Sequence, residues 1–401
     1  MGIYQELGVR TVINASGTLT RLGGSHMAPE VLEAMAEASR SYVRIEDLQE
    51  AAGRVIGEAT GAESGYVTSG AAAGLLLGTA ACVAGLDLQK MERLPDTSAP
   101  GTKNEVVVHR VHRNSYDHAI RTVGVRLIEV GHFGHPSPGP MRPYELESAI
   151  NERTAMVFWP LMGGTVGHGA LSLEETVRIA HRHGVPVLVD AAAALPPESN
   201  LRRFIAEGAD LVVFSGGKAL GGPQASGILA GRADLIRSVA LQNQDMDVHP
   251  ETWTWRRLIA EGQIAGPPLQ GIGRACKVGR EEIVGLLTAL RRYLQRDHAA
   301  DLARWQRIAQ RMAEGLSGVA GLRAVYNEGG ATGRPHVVLY LDGATLGKRA
   351  VDVVNHLADG DPIVAVGQGG ADEGTITLGT MCLEEGEEEI VVARLRQVVA
   401  G

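Results

Sequence analysis

Pro186-Val187-Leu188-Val189-Asp190 and Asp210-Leu211-Val212-Val213-Phe214-Ser215-Gly216-Gly217-Lys218 decide how this chain reads. Each contains a short apolar run, the pattern of a strand buried on both faces of a parallel sheet. An acid ends the first run, and a lysine follows the second after two glycines. Both side chains therefore emerge at the carboxyl edge of one sheet, where open α/β sheets bind ligands. A carboxylate and an amine at that edge suit pyridoxal 5′-phosphate. Lys218 would hold the aldehyde as a Schiff base, and Asp190 would keep the pyridine nitrogen protonated so that the ring accepts electrons. Taken singly, Lys218 reads as a solvated loop residue and Asp190 as a helix N-cap; the pairing favours the cofactor. A nucleotide P-loop is disfavoured, because Ala219 rather than Ser or Thr follows the lysine and the upstream glycine is missing.

Five further runs read as strands on either side of this pair: Ser64–Thr68, Glu105–His109, Val125–Val130, Ala155–Pro160 and Ser226–Ala230. Helical patterns separate most of the seven. The expected fold class is therefore α/β, with a mostly parallel seven-stranded sheet covered by helices on both faces and a smaller C-terminal α/β domain. Gly70–Val83 reads as a buried helix. Leu173–His183 reads as an amphipathic one, turning Leu173, Val177 and Ile179 to the sheet and Glu174, Arg178 and Arg182 to solvent. Pro29–Ser39 carries a sound helix start. Leu86–Asn104 has prolines and no apolar period, so a loop or lid is expected. Two helices from Glu281 lead into the C-terminal region, where His336–Leu341 and Thr375–Leu378 read as strands and Lys348–Leu357 and Glu387–Val399 as helices. The expected division is residues 1–45 as an N-terminal segment packing on the active-site region, 46–285 as a large cofactor-binding domain and 286–401 as a small domain.

The cofactor's phosphate needs its own cradle. Thr68-Ser69-Gly70-Ala71-Ala72 supplies a strand end, a hydroxyl, a glycine for close approach and a helix N-terminus with free N–H groups. Ser69 alone is equally well a simple N-cap. Ser215, three residues before the lysine, would add a second hydroxyl. The segment from His109 to His118 gathers imidazoles, cations and a phenol after the second strand. Its spacing matches no zinc pattern, so a polar loop is its bland reading, and His112 is the ring chosen to stack on the pyridine. No H-E-x-x-H, G-x-S-x-G or G-x-G-x-x-G follows a strand, which removes support for metalloprotease, serine hydrolase and dinucleotide readings.

The 401 residues are 44% hydrophobic and carry 52 glycines, as befits a large α/β core with many tight strand-to-helix turns. A formal net charge of -8 argues against a nucleic-acid partner. Three scattered cysteines indicate neither disulfides nor zinc. The N-terminus shows no leader, no run reaches membrane-spanning length, and a cytoplasmic location is expected.

Phe214 to Gln224 (FSGGKALGGPQ), Val187 to Pro196 (VLVDAAAALP) and Val12 to Thr18 (VINASGT) together resemble fold-type I pyridoxal phosphate enzymes of the selenocysteine synthase-like family, in particular its D-glucosaminate-6-phosphate ammonia-lyase-like members. Tyr42 to Leu48 (YVRIEDL) and Gly273 to Ile283 (GRACKVGREEI) extend the resemblance, which reaches about residue 290. It implies a fold-type I transferase fold, the cofactor's aldehyde on Lys218, the pyridine nitrogen on Asp190, and the phosphate near Ser69, Gly70, Ala71 and Ala72. It also implies a homodimer or higher homo-oligomer with sites between subunits. Two departures stand out. Relatives carry an arginine for the substrate carboxylate in a segment that reads Asp361 to Gly370 (DPIVAVGQGG) here, without one, and a later arginine-bearing stretch is replaced by Leu378 to Leu383. Arg113 or Arg274 would carry the substrate's anion instead. The family's tRNA-dependent members also differ from this acidic chain, which has no long N-terminal extension.

The resulting expectation is a lyase that eliminates water from a small β-hydroxy amino acid or amino sugar acid, giving a 2-oxo acid and ammonia, with Lys218 moving the α-proton. Alternatives are a racemase or epimerase using His112, Tyr116 or His118 as a second acid/base, an aldolase, and a cofactor-binding protein without turnover.

Overall fold

The computed structural model describes residues 2–132, 141–161 and 166–400. The chain forms two compact units, Met27–Leu294 and the combination of Met1–His26 with Gln295–Gly401. The larger unit is built on seven strands: β2 (Ser64–Thr68), β3 (Glu105–His109), β4 (Arg126–Val130), β5 (Thr154–Pro160), β6 (Val187–Asp190), β7 (Leu211–Ser215) and β8 (Gly227–Gly231), in the order β2-β8-β7-β6-β5-β3-β4. Only β8 runs against its neighbours. The carboxyl ends of the other six, and the start of β8, consequently share one edge of the sheet.

Six of these strands are buried along nearly their whole length, which is why their sequences are unbroken apolar runs rather than alternating ones. Helix Ala71–Ala84 belongs to the core on one face and helix Leu173–Arg182 to the core on the other. In the latter, Leu173, Val177 and Ile179 are buried while Glu174, Arg178 and Arg182 are exposed, as the amphipathic period predicts. The expected loop at 86–104 contains a helix, Leu88–Arg93, capped by Asp87 and anchored by buried Met91 and Leu94. Its two prolines lie beyond that turn. A further helix, Ile45–Thr60, had no counterpart in the sequence reading.

The second unit joins β1 (Val12–Ala15) in parallel to β11 (Ile363–Val366), and stacks β9 (Leu322–Asn327), β10 (His336–Leu341) and β12 (Thr375–Gly379) in the antiparallel order β12-β10-β9. The pairing of β1 with a strand about 350 residues later assigns Met1–His26 to the C-terminal unit. The observed boundaries therefore fall at 26 and 294 instead of 45 and 285. Among the described residues no helix is long and apolar enough to cross a membrane.

Asp210 fixes the register that matters for the site. Its side chain is 5% exposed and accepts from the Val187 N–H (2.7 Å), faces His181 Nε2 (2.8 Å) and pairs with Arg232 Nη1 (3.2 Å). It thereby ties the start of β6 to the start of β7. Replacing it by Ala leaves a buried N–H unpaired and removes one of the two carboxylates on Arg232, so Asp210→Ala should lower unfolding stability by about 2 kcal/mol, read as a reduced urea midpoint at unchanged slope. A midpoint equal to wild type would show that the contact carries no net stability.

Candidate active site

Asp190 ends β6 and lies directly across from Val213 of β7, whose chain continues through Ser215 into the turn that bears Lys218. The Ala192 N–H donates to Asp190 Oδ1 at 2.9 Å. Burial pushes the Asp190 carboxyl above its ordinary range, and the Ala192 N–H and the charge of Lys218 pull it back down. A carboxylate withdrawn from water is unstable as an anion until a cation lies against it, and Lys218 already acts on it electrostatically. The structure thus brings together the two residues on which the sequence reading rests.

The edge beside them forms a cradle. Gly70 adopts φ +105° ahead of helix Ala71–Ala84, a conformation that L side chains rarely take. The first N–H groups of that helix, on Ala71 and Ala72, have no intrahelical acceptor. Ser215 pairs across the sheet with Gly227. A Cβ on Gly227 would come within 2.7 Å of the Gly70 carbonyl carbon and 2.8 Å of the Ala71 nitrogen, so glycine is what lets β8 press against the helix N-terminus. Ser69, Gly70, Ala71, Ala72 and Ser215 accordingly lie on the carboxyl edge that carries Asp190 and Lys218. Their chemistry, two hydroxyls and a helix N-terminus, fits a phosphate dianion.

Behind the cradle runs a polar network that the sequence reading did not single out. Ser69 Oγ donates to the Cys276 carbonyl at 2.9 Å, and Asn243 Nδ2 donates to the same carbonyl (3.2 Å) and to that of Gly273 (2.8 Å). Asn243 Oδ1 in turn accepts from the Tyr66 hydroxyl at 2.9 Å. Its signal in the sequence is Gln242-Asn243-Gln244, three consecutive amides at the end of helix Ala233–Asn243, and all three are buried. A cleft of about 600 Å³ opens beside Ser69, lined by Ile45, Lys277, Arg280 and Glu282 among others. Ile45 is the part of the expected N-terminal segment that reaches it.

Other predicted residues sit differently. His112 is 1% exposed, with its ring edge-on to Trp159 at 5.8 Å and to His109 at 5.6 Å, and neither ring nitrogen has a hydrogen-bond partner. In this structure it packs within the sheet's flank and shows no open face on which a pyridine could stack. Arg113 is engaged by Asp117 (2.6 Å) and Glu129, and Arg274 by Asp245 (3.5 Å). Both of the arginines expected to take the substrate's anion already face carboxylates. Tyr116 and His118, the other acid/base candidates, are exposed. Among the described residues there is no cluster suited to a metal ion.

A ligand-binding edge of this kind, on this strand order, defines a fold-type I pyridoxal phosphate enzyme, and comparison with known proteins places the chain within that class. The family model for SelA, L-seryl-tRNA selenium transferase, matches residues 115–246. D-glucosaminate-6-phosphate ammonia lyase of Salmonella typhimurium is 35% identical over 99% of this chain and 97% of its own length. A solved structure of D-glucosaminate-6-phosphate ammonia-lyase superposes with a TM-score of 0.80 at 35% identity, covering 100% of this chain and 98% of that one. A 5'-C-glycyluridine monooxygenase-decarboxylase from a Streptomyces species is 34% identical over 99% of this chain and 92% of its own. The chain belongs to the selenocysteine synthase-like family that includes the ammonia lyase, and its cofactor is pyridoxal 5′-phosphate. It is an enzyme with lyase relatives of full length; nothing in the comparisons supports the racemase alternative.

Two measurements test this geometry. Gly227→Ala should displace Gly70 and Ala71 and weaken cofactor binding about tenfold or more, measured by titrating pyridoxal phosphate into the cofactor-free protein; unchanged affinity would remove the cradle from the phosphate. Burial, with a smaller contribution from His109, lowers the His112 pKa to about 4. Its folded value lies below its unfolded value near 6.5, so stability is complete above that value and falls as the pH drops through 6.5 toward 4, by about 3 kcal/mol at most. Unfolding of His112→Phe should show a flatter acid limb than wild type, and identical limbs would rule the residue out as the source.

Proposed function

We propose that this enzyme is an ammonia lyase that eliminates water from a β-hydroxy amino acid or amino sugar acid, releasing ammonia and a 2-oxo acid. The observation that carries the reading is the half-buried Asp190 carboxyl at the end of β6, beside the strand that leads to Lys218, on an edge that also supplies a phosphate cradle. Pyridoxal phosphate, when bound, supplies an electron sink for negative charge at the substrate's α-carbon.

The chain's own residues do the rest. Asp190 would hold a proton at the pyridine nitrogen, a cation against which this half-buried carboxyl stays ionised. Lys218 carries the cofactor at rest; its Nζ, once released, takes the α-proton of the substrate and delivers a proton to the departing β-hydroxyl. Ser215 and the N–H groups of Ala71 and Ala72 would hold the cofactor's phosphate, and Ser69 would join them on turning its hydroxyl from the Cys276 carbonyl. His112, neutral at physiological pH, is an apolar wall of the flank; a stacking role would require its ring to turn out of the Trp159 contact. With Arg113 and Arg274 paired, the cation available beside Ser69 is Lys277, exposed on the cleft and without an ion pair among the described residues. Lys277 would take an acidic group of the substrate. The substrate is a small molecule, and the homo-oligomer and cytoplasmic location expected from the sequence remain part of this proposal.

A second reading is favoured by the Streptomyces relative: oxygen-dependent decarboxylation of an amino acid carrying a larger side group. One assay separates them. D- and L-β-hydroxy amino acids and amino sugar acids, with and without phosphate, are incubated with the enzyme under air and under nitrogen. The lyase gives ammonia and a 2-oxo acid in both atmospheres, and Lys218→Ala loses at least about 10³-fold in rate. Turnover that needs oxygen and releases carbon dioxide would replace the lyase by the second reading.

A further inference from the structure

In the unit formed by Met1–His26 and Gln295–Gly401, the helices Ala350–Asp359 and Glu387–Ala400 pack against each other. A cleft of about 470 Å³ opens where the first helix ends, walled by Lys348, His356, Gly360, Arg394 and Gln397 among others. None of these residues belongs to the candidate active site.

The two cations of this cleft are held in place but not neutralised. Lys348 Nζ donates to the Val398 carbonyl at 2.7 Å. The terminal nitrogens of Arg394 donate to Gln397 Oε1 and, at 3.5 Å, to the His356 carbonyl. Arg394 Nε is out of reach of water and has no partner. Carbonyl and carboxamide oxygens orient a cation without cancelling its charge. Elsewhere in the same unit Arg311 is paired with Glu388 at 3.1 Å and Arg349 with Asp352 at 2.9 Å, whereas Arg304 and Arg396, like Arg394, donate to main-chain carbonyls. Asp359, the one acid on the cleft's wall, is exposed and forms no ion pair with Lys348 or Arg394 among the described residues. The guanidinium also rests so closely on Gly360 that a Cβ there would overlap its Nη2, so the glycine fixes where the fork lies.

We infer that this cleft is a binding site for a phosphoryl group, either inorganic phosphate or the phosphate of a small metabolite. Arg394 presents a planar fork suited to two phosphate oxygens, and Lys348 presents a compact point charge suited to a third. The fork is already short of hydration at Nε, which increases its gain from an anionic partner. The amides of Asn355 and Gln397 offer donors for the remaining oxygens. The volume exceeds that of a bare anion and leaves room for a small attached group.

Equilibrium dialysis of the cofactor-loaded enzyme against inorganic phosphate, and separately against glycerol 3-phosphate, tests this. Wild type should bind one equivalent more than Arg394→Gln/Lys348→Gln, with affinity at the site reduced at least about tenfold in the variant, while the cofactor's absorbance and the melting temperature stay at wild-type values. Binding of the ester alone supports a metabolite phosphate; binding of both supports free phosphate as sufficient. If the double variant does not fold, Lys348→Gln alone loses one bond to a helix-terminal carbonyl and gives the same comparison. Equal numbers of equivalents in wild type and a folded variant, or no binding of either probe to wild type, would overturn the inference.

Discussion

A half-buried carboxyl group at the end of a parallel strand is what the rest of this molecule is arranged around. Asp190 gains nothing for folding from that position, because burial favours its protonated form. Its place makes sense only in relation to a cationic partner, and Lys218, on the continuation of the neighbouring strand, is such a partner. The sheet order β2-β8-β7-β6-β5-β3-β4 puts the carrier strands of both residues side by side near its middle, with helices packed on each face.

Two supports hold that arrangement from behind. Asp210 ties the starts of β6 and β7 at the far edge of the sheet, so that the register at the near edge is set by a contact at the opposite end. On the near side, Asn243 and Ser69 converge on the Cys276 carbonyl and connect the helix N-terminus after β2 to the segment that carries Lys277. The cradle and the cleft beside it are therefore mechanically one object. A change in the 273–276 segment reaches Ser69 through a hydrogen bond.

Full-length relatives of nearly equal identity bear names for different reactions, an ammonia lyase and a monooxygenase-decarboxylase. Arg113 and Arg274 each face a carboxylate, while Lys277 lies exposed on the cleft beside Ser69.

The sequence by itself determined the seven strands of the large sheet to within a residue at most ends, because burial on both faces writes an apolar run that needs no partner to be recognised. It also determined Asp190, Lys218 and the Ser69–Ala72 turn, since each sits where such a run stops. The half-exposed β1, β9 and β11 left no such trace; their pattern has meaning only beside partners that lie far along the chain, as Val12 beside Ile363 does. Side-chain engagement was equally illegible. Whether Arg113 is available for a substrate depends on Asp117 and Glu129 reaching it, and whether His112 offers a face depends on Trp159. Tertiary structure alone decides these, because a charge or a ring is free or occupied according to which neighbours the fold delivers to it, and that is a property of three-dimensional distance.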